Sequence, residues 1–190
     1  MQLAIPTPPR LRRLTQREYL KLAELGAFDH ERVELIEGAI ITRSPAGSQH
    51  DSAITRLTRL LSAAVGEQGF VRVQMSFDAG KTSMPEPDLL VISAADFDDD
   101  AYPSGAHLVV EVSDSSVKYD RDTKAAVYAR AGVPVYWLVD LRSLAVEVYT
   151  RPGRSGYAAV EVLRPGDSLP VPGFPKKRVR VSDFLPSKRD

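Results

Sequence analysis

The sequence predicts one α/β domain built on a mixed, twisted β-sheet flanked by helices, and three features carry that expectation. Residues 135–139, Val-Tyr-Trp-Leu-Val, are a near-continuous apolar run, as expected of a central parallel strand buried on both faces. Residues 120–132, just before it, have helical spacing and stop at Gly132 and Pro134, so they supply the crossover that a parallel pair requires. Upstream, residues 89–92 (Leu-Leu-Val-Ile) and 107–112 (His-Leu-Val-Val-Glu-Val) are two strand-like runs on either side of a polar loop. A chain of 190 residues is large enough for one real core, burying roughly 70% of its unfolded surface.

Taken in order, residues 1–14 read as a flexible arm, with prolines at 6, 8 and 9 and arginines at 10, 12 and 13; a solvated tail and a phosphate contact are both open to it. Residues 15–190 read as the single domain. Thr15 caps a helix over 16–25, with Glu18 completing a capping box, Gly26 stopping it, and Leu20, Leu22 and Leu25 set to face the core. Residues 33–41 read as a hairpin turning near Glu37 and Gly38. Its alternation puts Glu34 on the side of Ile36, partly buried, either as an edge acid paired with an arginine or as a site acid. The loop Ser44-Pro45-Ala46-Gly47 leads to a helix over 48–66 with Ile54, Leu57, Leu60, Leu61 and Ala64 as its apolar stripe. His50 falls in its first turn, where the helix dipole disfavours imidazolium; a capping role and a neutral site histidine beside a phosphate both remain open.

Residues 70–77 read as a strand, with Val71, Val73, Met75 and Phe77 alternating against Arg72, Gln74 and Ser76. Asp96, Asp98, Asp99 and Asp100 lie in the loop 93–106; their spacing lacks the pattern and the glycine of an EF-hand, so a solvated loop is expected. Residues 144–150 and 156–163 form a second hairpin. The tail carries Lys176, Lys177, Arg178 and Arg180, a basic patch suited to tracking a nucleic-acid backbone or to guarding an edge strand.

Composition narrows the classes. With no cysteine, disulfides and thiolate metal sites are excluded. No apolar run approaches the ~20 residues of a membrane span, and the N-terminus lacks the order of a signal peptide, so a cytoplasmic location is expected. Twenty-five basic and 25 acidic residues leave a net charge of zero, which argues against a strong nonspecific nucleic-acid binder.

Two acids stand where a chain building only a core would not put them. Asp88 opens its strand straight after Pro87, and Glu111 sits inside a run apolar enough to be buried, where a lone carboxylate costs several kcal/mol unless paired or bound to a cation. If Ile92 lies opposite His107, Asp88 lies opposite Glu111, with Cβ atoms about 4.5–5.5 Å apart. Two carboxylates so placed repel, and a divalent cation such as Mg²⁺, which takes one or two carboxylates plus waters and phosphates, reverses that sign. Lys124, sharing a helix face with Tyr128, can reach the pair from the next element. Carboxylates with a nearby ammonium suit metal-assisted phosphodiester hydrolysis.

At these residues the chain resembles the bacterial Uma-type restriction endonucleases, a family placed in the PD-(D/E)XK nuclease superfamily. The resemblance rests on Glu34-Leu35-Ile36-Glu37-Gly38, Ser44-Pro45 with His50, Pro87-Asp88-Leu89-Leu90, Val110-Glu111-Val112-Ser113, and Lys124 through Ala131-Gly132-Val133-Pro134-Val135-Tyr136-Trp137-Leu138-Val139-Asp140. It implies a restriction-endonuclease-like core, Asp88 and Glu111 as ligands of Mg²⁺ or Mn²⁺, and Lys124 as the catalytic lysine. The superfamily's lysine usually stands two residues after the Glu; Ser113 stands there, so the resemblance passes the role to Lys124. Glu34 becomes a third acid of the site and His50 a site residue without an assigned role. The function so implied is Mg²⁺-dependent endonucleolytic cleavage of DNA, by a homodimer, since a duplex cutter commonly presents two sites about a twofold axis. A nuclease-fold binding or assembly protein without turnover, and a metal-dependent phosphoesterase on small nucleotides, are the other classes compatible with these residues.

Overall fold

The computed structural model describes residues 11–43 and 47–186. Its frame is a six-stranded sheet in the order β3-β4-β5-β6-β7-β8, comprising Gly69–Val73, Leu89–Ser93, Leu108–Ser113, Val135–Asp140, Ala145–Gly153 and Gly156–Leu163. β5 and β6 run parallel, and each other neighbouring pair is antiparallel. The mixed sheet and the parallel β5–β6 pair are as the apolar run and crossover helix predict. Two hairpins complete it: β1 (Val33–Ile36) with β2 (Ala39–Thr42), and β9 (Ser168–Val171) with β10 (Phe174–Arg180).

Strand alternation divides the core into two layers. Leu89, Val91, Leu108, Val110, Val112, Trp137 and Val139 face helix α2 (Ser48–Val65) and the β9–β10 hairpin. The intervening Leu90, Ile92, Val109, Tyr136 and Leu138 face Ala125 and Tyr128 of α4 (Ala125–Arg130). α2 buries Ala53, Ile54, Leu57, Leu61 and Val65, an i, i+3, i+4 stripe; cutting the fully buried Leu57 to Ala would cost about 2–5 kcal/mol. Because side chains alternate with period two, Asp88 and Glu111 extend the rows of Leu90 and Val109, and so belong to the α4 side.

Several elements differ from expectation. α1 (Gln16–Glu24) has its capping box from Thr15 and Glu18, but it anchors through Tyr19, whose hydroxyl donates to Val33 O at 3.0 Å, while Leu25 is 75% exposed. Tyr19 with its polar tip is the buried anchor, Leu20 packs against its cluster as expected, and Leu25 stays outside it. β3 ends at Val73 and does not run to Phe77, because Gln74 has φ 49° and leaves the extended region; Met75 is then exposed and Phe77 fully buried. The β1–β2 turn has Glu37 at φ 49° and Gly38 at φ 80°, the positive pair that a two-residue hairpin favours. The helical segment after β5 begins at Val117, three residues earlier than its spacing suggests.

Residues 1–10 of the expected arm, Ser44-Pro45-Ala46 of the expected loop and residues 187–190 lie outside the described residues. Arg12 pairs with Glu18, Arg13 Nη1 donates to Glu37 O at 2.6 Å, and Leu14 N–H donates to Gly38 O at 2.9 Å. Lys176, Lys177, Arg178 and Arg180 are exposed on β10, with Arg178 donating to Ser168 O at 2.6 Å. Among the described residues no helix is long and apolar enough to cross a membrane.

Candidate active site

β4 and β5 pair Leu89 with Val110, Leu90 with Val109 and Val91 with Leu108. Continued by one pair, that register sets Asp88 across from Glu111, as the sequence reading assumed. Asp88 stands where the strand would begin, and its carboxylate Oδ2 takes the Val112 N–H at 2.9 Å. Both acids line a pocket of about 280 Å³ together with Glu34, His50 and Lys124, so all five sequence-derived residues converge there. Asp88, Glu111, Glu34 and Lys124 are buried.

Each carboxylate is matched by a cation. Asp88 Oδ1 lies 3.1 Å from Arg43 Nη2, and Asp88 Oδ2 lies 3.2 Å from His50 Nε2. Gln74 Nε2 adds a 3.4 Å contact to Oδ1. On the other side, Lys124 Nζ stands 3.0 Å from Glu111 Oε1 and 3.0 Å from Glu34 Oε2. Tyr128 donates its hydroxyl to the same Glu111 Oε1 at 2.6 Å, so neither donor takes Oε2. Glu34 Oε2 also accepts the Glu86 N–H at 3.2 Å. Lys124 is only 3% exposed, which excludes a surface lysine paired with Asp120, and Glu34 is paired with this lysine where the sequence left an arginine open.

Buried charge sets the protonation. Burial pushes Glu111 up to about 8, against the pull of Lys124, with Asp88, Asp120 and Glu34 adding to the rise. Lys124 is held above its ordinary value: burial lowers it, and the facing Glu111 and Glu34 more than offset that. Three carboxylates thus share one ammonium, and the proton that resolves the excess negative charge goes to Glu111. Asp120, buried and accepting from Ser116 Oγ at 2.6 Å, is also raised, chiefly by burial. Asp88 goes the other way. Burial would raise it, but the hydrogen bonds from His50 and Val112 with the charges of His50 and Arg43 hold it low. His50 is raised in turn by its bond to Asp88, so it carries a proton more readily than a free histidine. The direct carboxylate partner acts against the neutral imidazole that the helix dipole favours.

Arg43, Gln74, Tyr119 and Asp120 also line the pocket and were not singled out as site residues. Arg43 had a readable signal. Glu34 pairs with Ile41 across the hairpin, and the residue two beyond Ile41 shares its face, so Arg43 falls beside Glu34 once the turn is fixed at Glu37-Gly38. Its N–H donates to Arg32 O at 2.8 Å, extending the strand past Thr42. Tyr119 had none, because its placement depends on a break in helix periodicity.

The mixed sheet with helices over its faces is the fold of a restriction-endonuclease-like domain of the nuclease class, and the acid-lined pocket lies at one end of that sheet. A family model described as "Uma2: Putative restriction endonuclease" matches residues 17–182, and the chain belongs to that family. It is similar in fold to a crystal structure titled as a putative nuclease belonging to DUF820 from Anabaena variabilis, with a TM-score of 0.71 and 20% identity over 90% of this chain and 97% of that one. No curated protein matches the chain.

Proposed function

We propose that the chain is a Mg²⁺-dependent endonuclease that hydrolyses DNA phosphodiester bonds at this pocket, as a homodimer. One observation carries the reading: a buried lysine bridges Glu34 and Glu111 while Asp88 lies across the strand pair from Glu111, in one pocket. Four buried ionisable side chains in one pocket are costly for a structural core and suit metal-assisted phosphoryl chemistry. Family membership supports the nuclease class, and restriction-endonuclease-like proteins are typically metal-dependent.

The donor set fits a hard cation that keeps part of its water shell. Asp88 and Glu111 offer carboxylate oxygens, and among the described residues no group of three or more His, Cys, Asp or Glu is arranged to hold a metal. Mg²⁺ is commonly held by one or two carboxylates with waters and substrate phosphates completing its shell, and Asp88 and Glu111 would be those two. A bound Mg²⁺ or Mn²⁺ would supply Lewis-acid polarisation of the phosphate and a more acidic water. Asp88 and Glu111 would hold it, and Tyr128 and Lys124 fix the Glu111 carboxylate in place. Lys124 positions the attacking water and offsets charge building on the phosphate, while Glu34 holds Lys124 between two acids. Arg43, once freed from Asp88, presents a cation to the incoming phosphodiester, with the His50 imidazole beside it as a hydrogen-bonding group.

The direct test incubates pure protein with supercoiled plasmid and Mg²⁺ or Mn²⁺, with and without chelator. Cleavage that chelator abolishes supports the reading. Absence of cleavage of duplex, single-stranded DNA and RNA with either metal replaces it by a nuclease-fold binding protein. A monomer in light scattering at micromolar concentration would remove the homodimer and leave nicking or single-strand cleavage.

A further inference from the structure

The helical segment after β5 is interrupted. α3 (Val117–Tyr119) and α4 are α-helical, and between them Asp120–Lys124 form a π turn closed by the Ala125 N–H on Asp120 O. On an unbroken α-helix, residues five apart point about 140° away from each other, at 3.6 residues per turn. A turn closed at i→i+5 stacks them instead, and such turns occur frequently at functional sites. The residues stacked here are Tyr119 and Lys124, and both line the pocket of Asp88 and Glu111.

Lys124 is committed to Glu34 and Glu111. The Tyr119 hydroxyl is committed to nothing: it is buried and has no hydrogen-bond partner among the described residues. Tyr128, on the same helical segment, gives its hydroxyl to Glu111, and Tyr136 gives its own to Asp120 O at 3.3 Å. Buried hydroxyls in this layer are therefore otherwise partnered, and the exception faces the pocket. Burial, with Glu34 next, raises the Tyr119 pKa, so the group keeps a proton to donate. The residue as a whole is only partly covered, so a side-chain rotation brings the oxygen to a ligand without moving the backbone.

We infer that the Tyr119 hydroxyl donates a hydrogen bond to a non-bridging oxygen of a phosphate seated beside Lys124, which makes Tyr119 a substrate-binding residue brought into the site by the π turn. The phosphate is the ligand of choice because its oxygens would complete the shell of the cation that the pocket's acids would hold, and a neutral donor beside the Lys124 ammonium reads an anionic oxygen. This inference rests on the phosphodiester reading proposed above.

The test compares wild type with Tyr119→Phe, using thymidine 5′-monophosphate with Mg²⁺ as the calorimetric probe and the Tm of each free protein as control. The expected result is a probe Kd roughly 10-fold weaker in Tyr119→Phe, the scale of one hydrogen bond to a charged acceptor. Its free Tm should be unchanged or higher, because the lost hydroxyl had no partner. Tyr128→Phe should lower the free Tm, since that hydroxyl is bonded. Equal Kd values, a wild type that does not bind the probe, or a Tm fall of several degrees with unchanged Kd would each overturn the assignment. If the probe result holds but no nucleic acid is cut, the phosphate contact stands and the nuclease reading falls. If both proteins cut plasmid with the same kcat/KM, the nuclease reading stands and Tyr119 has no part in it.

Discussion

Arg43 Nη2 lies 3.1 Å from Asp88 Oδ1, so in the free chain a guanidinium holds the carboxylate that would ligate a metal. Arg43 also donates to Glu86 O at 3.0 Å and is largely covered, which fixes its fork in place. A cation entering the pocket competes with it. Arg43→Ala is therefore expected to tighten Mn²⁺ binding by about 5-fold or more, because removing this largely buried partner takes away a competing interaction worth at least about 1 kcal/mol. Titration calorimetry of the two proteins reads this directly, and an unchanged or weaker Kd would mean that Arg43 does not stand in the ion's place.

The two carboxylates should respond differently to neutralisation. Asp88→Asn leaves Arg43 and His50 facing an amide, two cations without their partner, and is expected to cost about 2–4 kcal/mol of stability in the free protein. Glu111→Gln keeps an oxygen for Tyr128 and Lys124, and Lys124 still has Glu34, so its cost should be about 1 kcal/mol or less. Both should lose most of the Tm increment that Mg²⁺ gives wild type by mass action. Equal destabilisation in urea melts, or an undiminished metal increment in either variant, would contradict this division.

The sequence made the sheet legible because its signals are local. An apolar run after a helix is a parallel strand, and two runs about a polar loop are a hairpin whose register follows from one assumed pair. That register alone brings Asp88 to Glu111. What sequence could not reveal depends on departures from regular periods. Gln74 at positive φ ends β3 early, and the π turn at Asp120–Lys124 shifts Tyr119 into the pocket. Counter-ions were only partly legible: the hairpin register sets Arg43 beside Glu34, but its pairing with Asp88, and that of His50 from the first turn of a helix packed on the opposite face of the sheet, joins separate elements.

The pH dependence of the metal-free protein follows from these shifts. Glu111 is raised to about 8, so between its unfolded value near 4.5 and about 8 the folded state keeps a proton that the unfolded state gives up, and stability falls as pH rises. His50 is raised above 6.5, so its contribution is full below that pH and is lost as pH climbs through the folded value. Asp88, lowered below 3.8, contributes above that value and is lost on further acidification. Scanning calorimetry in chelator should thus find the highest Tm on the mildly acid side, near about pH 5, and a decline toward pH 8. Added Mg²⁺ should flatten the decline, because the ion prefers the deprotonated carboxylate. A Tm that rises steadily from pH 5 to 8 in chelator would contradict the proposed charge pattern.

Lys124 separates an enzyme from a binder most sharply. Its ammonium is the cation lying between Glu34 and Glu111, each at 3.0 Å, and Asp120 is the third acid whose charge it offsets. Lys124→Ala should lower plasmid cleavage by about 10²–10³-fold, the scale of losing one electrostatic stabiliser at a reacting centre. Metal binding should move the opposite way, becoming tighter at alkaline pH, because the carboxylates lose a competing positive charge. Stability should fall by about 3–5 kcal/mol, as buried acids are left unpaired, and should recover in part with Mg²⁺. Lys124→Arg should restore little activity, since a planar fork cannot replace a compact ammonium between two carboxylates. Cleavage that survives Lys124→Ala unchanged would remove the lysine from the chemistry and leave it as the counter-ion of a buried acid cluster.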